Sequence, residues 1–258
     1  MNRYYYVITT SCNYSCKFCY MRYGKVKKSS LEVLKNNINN IEHLVLIGGE
    51  PTLNIREVIE VLELTKNIST IKEITLVTNG SLLTKEIVEK LHYSKLYIQV
   101  SIYDITTALR ISKLIRERFI IHFLISESNF NLLEIIIKMF YRKVQFWVSI
   151  DREIKKDITT FLFDLIDQRI LKKEMFRDYG YTGKKCLVFN KQNYVINGDK
   201  LVMDCLHRQS KGTKMIINTE CLKCTNKLCD ACICDDISNR DIICKIFKNL
   251  EEYYEYRS

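Results

Sequence analysis

Proline and glycine are in short supply in this chain, one and eight in 258 residues, and no low-complexity linker rich in either can be found. No run of 18 or more apolar residues occurs, which excludes a membrane-spanning helix of ordinary length. The N-terminal Met-Asn-Arg-Tyr-Tyr-Tyr lacks the basic-then-apolar layout of a secretory signal. These absences predict a soluble, cytoplasmic protein with no membrane partner. Histidine is limited to the scattered His43, His92, His122 and His207; a lone histidine is more often structural than catalytic, and only His207, two residues after Cys205, stands out. The formal charge of +10 invites an anionic partner, yet no long Lys/Arg block interleaved with aromatics accompanies it. Metal-bound thiolates would also lower that balance, so nucleic acid stays open as a partner without leading.

Cysteine is what the chain has in plenty, 11 in all. With no export signal, metal ligation accounts for them better than a disulfide framework. Cys12, Cys16 and Cys19 form a CxxxCxxC run directly after a strand-like segment. Random placement would give about 0.02 such triplets per chain, which sets chance aside. Three thiolates can hold three irons of a [4Fe-4S] cube and leave the fourth open for chemistry, whereas an electron-carrying cluster takes four cysteines. A zinc knuckle, or one face of a helix, is the alternative reading of the spacing.

Six short apolar runs rich in β-branched and aromatic residues recur at 4–9, 43–47, 73–78, 96–102, 119–125 and 144–150. Between them lie helix-spaced segments, Ile55, Val58, Ile59 and Leu62 in one, and Ile105, Leu109, Ile111, Leu114 and Ile115 in another. Near-continuous apolar strands joined by helices predict a parallel α/β sheet, with ligand-facing loops at the carboxyl ends of the strands. The cysteine loop, Gly48-Gly49-Glu50-Pro51, Thr78-Asn79-Gly80 and Ser101 all fall at such ends. A further helical stretch, about 155–175, leads to a cysteine-dense tail.

Taken together, these motifs resemble the radical S-adenosylmethionine superfamily over about residues 4–151. The resemblance implies a partial (β/α)6 TIM-like barrel over 1–175, followed by a small cysteine-rich iron-sulfur domain over 176–258. It also implies that Cys12, Cys16 and Cys19 ligate the cluster that binds S-adenosylmethionine, with Phe18 at the aromatic position between the last two. By the same resemblance, Gly48, Gly49, Glu50 and Pro51 hold the methionine amino group, Asn79 contributes to the cofactor site and Ser101 bonds ribose. Related enzymes often carry a Ser-x-Asp-Gly run there; this chain reads Ser101-Ile102-Tyr103-Asp104, with the acid displaced by one. The chemistry implied is reductive cleavage to methionine and a 5′-deoxyadenosyl radical that abstracts hydrogen from a substrate.

The other eight cysteines are Cys186, Cys205, Cys221, Cys224, Cys229, Cys232, Cys234 and Cys244. Taken alone, Cys221-x₂-Cys224-x₄-Cys229-x₂-Cys232 has zinc-like spacing. In the order Cys186, Gly198, Cys205, CxxC cluster, Cys244, the tail resembles a SPASM domain or its shorter Twitch relative. That resemblance implies one or two auxiliary [4Fe-4S] clusters, the first on Cys186, Cys205, Cys221 and Cys224. A second would use Cys229, Cys232 or Cys234, and Cys244. Such tails accompany peptide maturases, so the expected substrate is a peptide or protein side chain, with flavodoxin or ferredoxin as reductant. No extra leader-binding domain is expected ahead of the first strand. Other readings are the same chemistry on a small molecule, nucleoside or RNA, and a zinc-binding interaction module. No catalytic acid or base is assigned; Asp151, Tyr179 and Tyr181 could reach a substrate or be ordinary surface or core residues.

Overall fold

The computed structural model describes residues 2–16, 19, 21, 25–150, 156–168, 170–171, 175 and 193–202. All eight tail cysteines lie outside the described residues, as do Phe18, Asp151, Tyr179, Tyr181 and His207. The chain divides into two compact units, Met1–Val100 with Lys185–Cys221, and Ser101–Lys184 with Leu222–Ser258.

In the first unit, β1 (Arg3–Thr9), β2 (His43–Gly48), β3 (Glu73–Thr78) and the bulk of β4 (Leu96–Ile102) pair in parallel, in sequence order. The crossovers carry α1 (Leu31–Asn37), α2 (Ile55–Thr65) and α3 (Lys85–Lys90). Strand residues alternate between two faces. Tyr4, Tyr6, Ile8, Leu44, Leu46, Ile74 and Leu76 are buried on one of them. Tyr6, fully buried, donates its hydroxyl to Glu57 Oε1 of α2 at 3.1 Å, which places that helix on this face. Val58, Val61 and Leu62 of α2 are completely buried. On the opposite face Val7, Val45, Ile47 and Val195 form an apolar cluster with Val26, against which Tyr5, Met21 and Val77 pack. Val26 and Met21 follow the cysteine triplet, so the chain beyond it folds back over this face.

Beside β1 lies β7 (Asn193–Asn197), parallel to it, and β8 (Lys200–Val202) pairs antiparallel with β7. Tyr4 and Tyr194 stack at 4.6 Å between ring centroids across the β1–β7 pair. Gly198, with φ of 61°, occupies the two-residue hairpin turn, a position that favours glycine. This hairpin escaped the sequence reading, although Tyr-Val-Ile followed by Asn-Gly is a recognisable signal for one. Ser29 ties the two strands together beyond their pairing: its Oγ accepts from Val7 N at 2.8 Å and donates to Ile196 O.

In the second unit α4 (Ile105–Ser112) packs beside α5 (Leu133–Phe140), and β5 (Phe119–Ile125) pairs in parallel with β6 (Gln145–Ile150). The final helix described, α6 (Lys156–Asp167), is shorter than the 155–175 stretch expected. Helix α4 also stops early, because Lys113 and Leu114 donate to Arg110 and Ile111 in tight three-residue turns instead of continuing the helix. The strand bounds otherwise agree with the six expected runs within one residue at either end. The class is α/β with parallel strands, as expected.

Candidate functional site

Three strand ends of the first unit meet in a hydrogen-bonded rim, beginning where β1 runs into the cysteine loop. Gly49 N donates to Thr9 O and Glu50 N to Ser11 O, both at 2.8 Å, so the end of β2 holds the entrance of that loop by its backbone. The approach is too close for side chains. A Cβ on Gly48 would lie 2.3 Å from Thr9 O, and one on Gly49 would lie 2.2 Å from Ser11 O. Gly49→Ala is therefore expected to push the loop outward, costing about 1–3 kcal/mol of stability and lowering the iron retained after reconstitution. Denaturation and iron analysis on the same preparation check both.

Glu50 is fully buried. It caps the 3₁₀ turn Pro51–Asn54, with Pro51 in the first helical position, where its missing N–H costs nothing. Its Oε1 accepts from Thr52 N at 3.0 Å, Thr52 Oγ1 at 2.5 Å and Thr78 Oγ1 at 2.6 Å. Its Oε2 accepts from Asn79 N at 2.7 Å. Four donors from two strand ends thus enclose the carboxylate. The side chain works inside the protein, joining the end of β2 to that of β3.

Asn79 is 8 % exposed. The following Gly80, at φ of 72°, lets the chain turn so that Ser81 N donates to Asn79 Oδ1 at 2.8 Å. The amide nitrogen then faces the cysteine loop, donating to Asn13 Oδ1 at 2.9 Å and reaching Cys12 Sγ at 3.9 Å. Asn13 returns its own Nδ2 to Ser81 Oγ at 2.7 Å. Asn13, Ser81 and Thr52 were missed as site residues; the glycines shortly before Ser81 and Thr52 were a local hint, and for Asn13 its place next to Cys12 was one.

Cys12 is exposed, and Cys16 and Cys19 are partly buried. Tyr14 N donates to Cys12 Sγ at 3.3 Å, and Cys19 N to Cys16 O at 3.2 Å, which curls the loop. Burial pushes the Cys16 thiol above the ordinary range, and the neighbouring Cys19 and Cys12 sulfurs add to the rise. Among the described residues, no three His, Cys, Asp or Glu side chains gather as they would around a single metal ion. A cube puts each thiolate on its own iron and does not ask for that convergence. The soft donors, their mutual proximity and the N–H groups aimed at Cys12 fit a [4Fe-4S] cluster. In the metal-free, reduced chain, a raised thiol carries less thiolate at a given pH. Cys16 alkylation should accordingly lag behind that of exposed Cys12 near pH 8 and continue to climb as pH rises, as peptide mapping after timed labelling would read.

Ser101 is buried in β4, on the same face of that strand as Gln99. Asp104, whose displacement left its role open, caps α4: Oδ1 accepts from Thr107 N at 2.7 Å and Oδ2 from Thr107 Oγ1 at 2.8 Å. His43 lies at the other end of the strands, where its Nδ1 accepts from Arg3 Nε at 3.2 Å and its Nε2 meets Thr75 Oγ1 at 2.9 Å. His122 Nε2 meets Ser149 Oγ at 2.7 Å in the second unit. No described helix is long and apolar enough to cross a membrane.

A parallel β/α core with a thiol triplet on a glycine-tethered loop defines the class of enzymes that bind S-adenosylmethionine at an iron-sulfur cluster. Residues 6–156, more than half of the chain, match the radical SAM superfamily, and the chain belongs to it. Membership implies a [4Fe-4S] cluster and S-adenosylmethionine binding. A protein of Methanocaldococcus jannaschii described as a glycyl-radical enzyme activating enzyme is 30% identical over 104 residues, 38% of this chain and 39% of its own. An S-adenosylmethionine-dependent nucleotide dehydratase of Fibrobacter sp. is 28% identical over 121 residues, 41% and 35% of the two chains. A radical SAM cyclopropyl synthase, TigE, of Paramaledivibacter caminithermalis is 31% identical over 110 residues, 33% and 23%. The chain thus spans well under half the length of these curated relatives. Among solved structures, native anSMEcpe with bound AdoMet superposes with a TM-score of 0.60 at 19% identity, covering 99% of this chain and 97% of that one. Its complex with AdoMet and the Cp18Cys peptide gives 0.56 at 16%, over 99% and 96%. These likenesses show the fold, the partial barrel of radical SAM proteins.

Proposed function

We propose that this chain reductively cleaves S-adenosylmethionine and uses the resulting radical to abstract hydrogen from a peptide or protein side chain. The observation that carries the reading is the rim itself, where the backbone N–H groups of Gly49 and Glu50 anchor the loop bearing Cys12, Cys16 and Cys19. When bound, the cluster supplies one electron to the sulfonium, which breaks into methionine and a 5′-deoxyadenosyl radical. Cys12, Cys16 and Cys19 would hold the cluster and would leave it one open position for S-adenosylmethionine. Gly48 and Gly49 are partly exposed, and their unadorned backbone is the surface offered to the methionine ammonium. Glu50 contributes by fixing the loops around it, and Ser101 by bonding ribose. The tail cysteines Cys186, Cys205, Cys221 and Cys224 hold an auxiliary [4Fe-4S] cluster, with a second on Cys229, Cys232 or Cys234, and Cys244. A flavodoxin or ferredoxin delivers the electron.

A peptide substrate is favoured by the resemblance of the tail to those of maturases. The test is anaerobic reconstitution with reductant and S-adenosylmethionine, with 5′-deoxyadenosine as the product measured. A deuterated peptide taken from a short reading frame beside the gene, where one is found, should pass deuterium into that product. Transfer from a nucleotide and none from the peptide would select the small-molecule reading instead. Stoichiometric zinc without iron would overturn the radical reading altogether.

A further inference from the structure

The amide of Asn79 is spoken for on both sides, and its orientation is unambiguous. Ser81 N is a backbone donor, so the atom it meets at 2.8 Å must be the carbonyl oxygen, and the NH₂ must face the other way. That NH₂ carries two hydrogens. One goes to Asn13 Oδ1 at 2.9 Å, and the sulfur of Cys12 stands at 3.9 Å from the same nitrogen. Asn13 is oriented by the same logic: its oxygen is taken by Asn79, so its own NH₂ points to Ser81 Oγ at 2.7 Å. The result is a closed ring of three residues, completed by the Ser81 backbone, that bridges 66 residues of sequence and aims one N–H at the Cys12 sulfur. Cys12 Sγ also accepts from Tyr14 N at 3.3 Å. Asn79 N–H is held in turn by buried Glu50, so the aim of the amide is braced by the protein interior.

Hydrogen bonds to a ligating sulfur draw electron density from the thiolate and are among the factors that set an iron-sulfur potential. We propose that Asn79 is a positioning residue that acts through Cys12: its amide, aimed by Ser81 and Asn13, donates to the Cys12 sulfur and raises the reduction potential of the cluster held there. This rests on the assignment of the triplet as a cluster site. It gives Asn79 a task apart from direct contact with S-adenosylmethionine, and eases entry of the electron on which cleavage depends.

The experiment is a potentiometric titration of the full chain, reconstituted with iron and sulfide and free of S-adenosylmethionine. Electron paramagnetic resonance reads the reduced signal that Cys16→Ala removes. Asn79→Leu keeps the branched outline and deletes the donor together with the acceptor for Ser81 N; Asn79→Asp keeps that acceptor and replaces the donor with negative charge. At a fixed ambient potential, the reduced-to-oxidised ratio of that cluster is expected to fall about tenfold in Asn79→Leu, a shift of about 59 mV for one electron. The fall in Asn79→Asp should be larger. An unmoved midpoint in both loaded variants overturns the proposal. Failure of both to load the cluster also overturns it, because a bond that tunes is dispensable for ligation. A wild-type chain with no signal sensitive to Cys16→Ala instead brings down the cluster assignment itself.

Discussion

Replacing Cys16 with alanine should abolish 5′-deoxyadenosine formation and lower bound iron by about four atoms per chain after anaerobic reconstitution. Cys16 is the middle cysteine of the triplet and its thiol is partly buried, raised by burial and by the sulfurs of Cys19 and Cys12. With one thiolate gone, two remain for a cube that needs three, and water is a poor substitute for a soft ligand. The fold should survive, since the cysteine loop is anchored by backbone bonds at Thr9 and Ser11 rather than by Cys16. Far-ultraviolet circular dichroism should match wild type while iron and product fall, and any iron left would report a second site apart from the triplet. A variant with full iron and undiminished 5′-deoxyadenosine would show the triplet to be something other than the initiating site.

Glu50→Ala should destabilise the protein by about 3–5 kcal/mol, because buried donors lose a charged acceptor at once. The substitution strands the hydroxyls of Thr52 and Thr78 and the backbone N–H groups of Thr52 and Asn79. Water cannot easily replace the carboxylate at a residue with no exposed surface. Glu50→Gln is the finer probe. Its oxygen can still serve Thr52 and Thr78, but its NH₂ would face the N–H of Asn79, and a loss of about 1–3 kcal/mol is expected. Chemical denaturation of both variants measures the difference. Equal stability of Glu50→Ala and wild type would mean that the carboxylate does not join β2 to β3 as the geometry requires. Product formation should fall in both variants even below their unfolding transitions, since Asn79 loses the bond that braces it.

The legible part of this protein was carried by local pattern. Runs such as Glu73–Thr78 and Phe119–Ile125 are dense in β-branched and aromatic residues and bounded by polar or glycine turns, so their limits could be read within a residue. Helix extent was harder to read. The apolar spacing through Leu114 and Ile115 suggested a longer helix than α4, because spacing cannot reveal that Lys113 and Leu114 bond three residues back. The hairpin at 193–202 was overshadowed by the cysteines around it, though its parallel partner, β1, lies about 190 residues earlier and no local signal names it.

By itself the sequence determined the chemistry available: a thiol triplet at ligand spacing, a glycine pair followed by an acid and a proline, and parallel β/α repeats that send their loops to one end. Covalent spacing alone sets those features. Only the tertiary structure decided what each side chain does there. Glu50 turned inward to hold Thr78 and Asn79, Asp104 became the cap of α4, and Asn13 met Asn79 across 66 residues. Such pairings depend on which strand ends become neighbours and on where buried donors find acceptors, and neither is written in any short stretch of the chain.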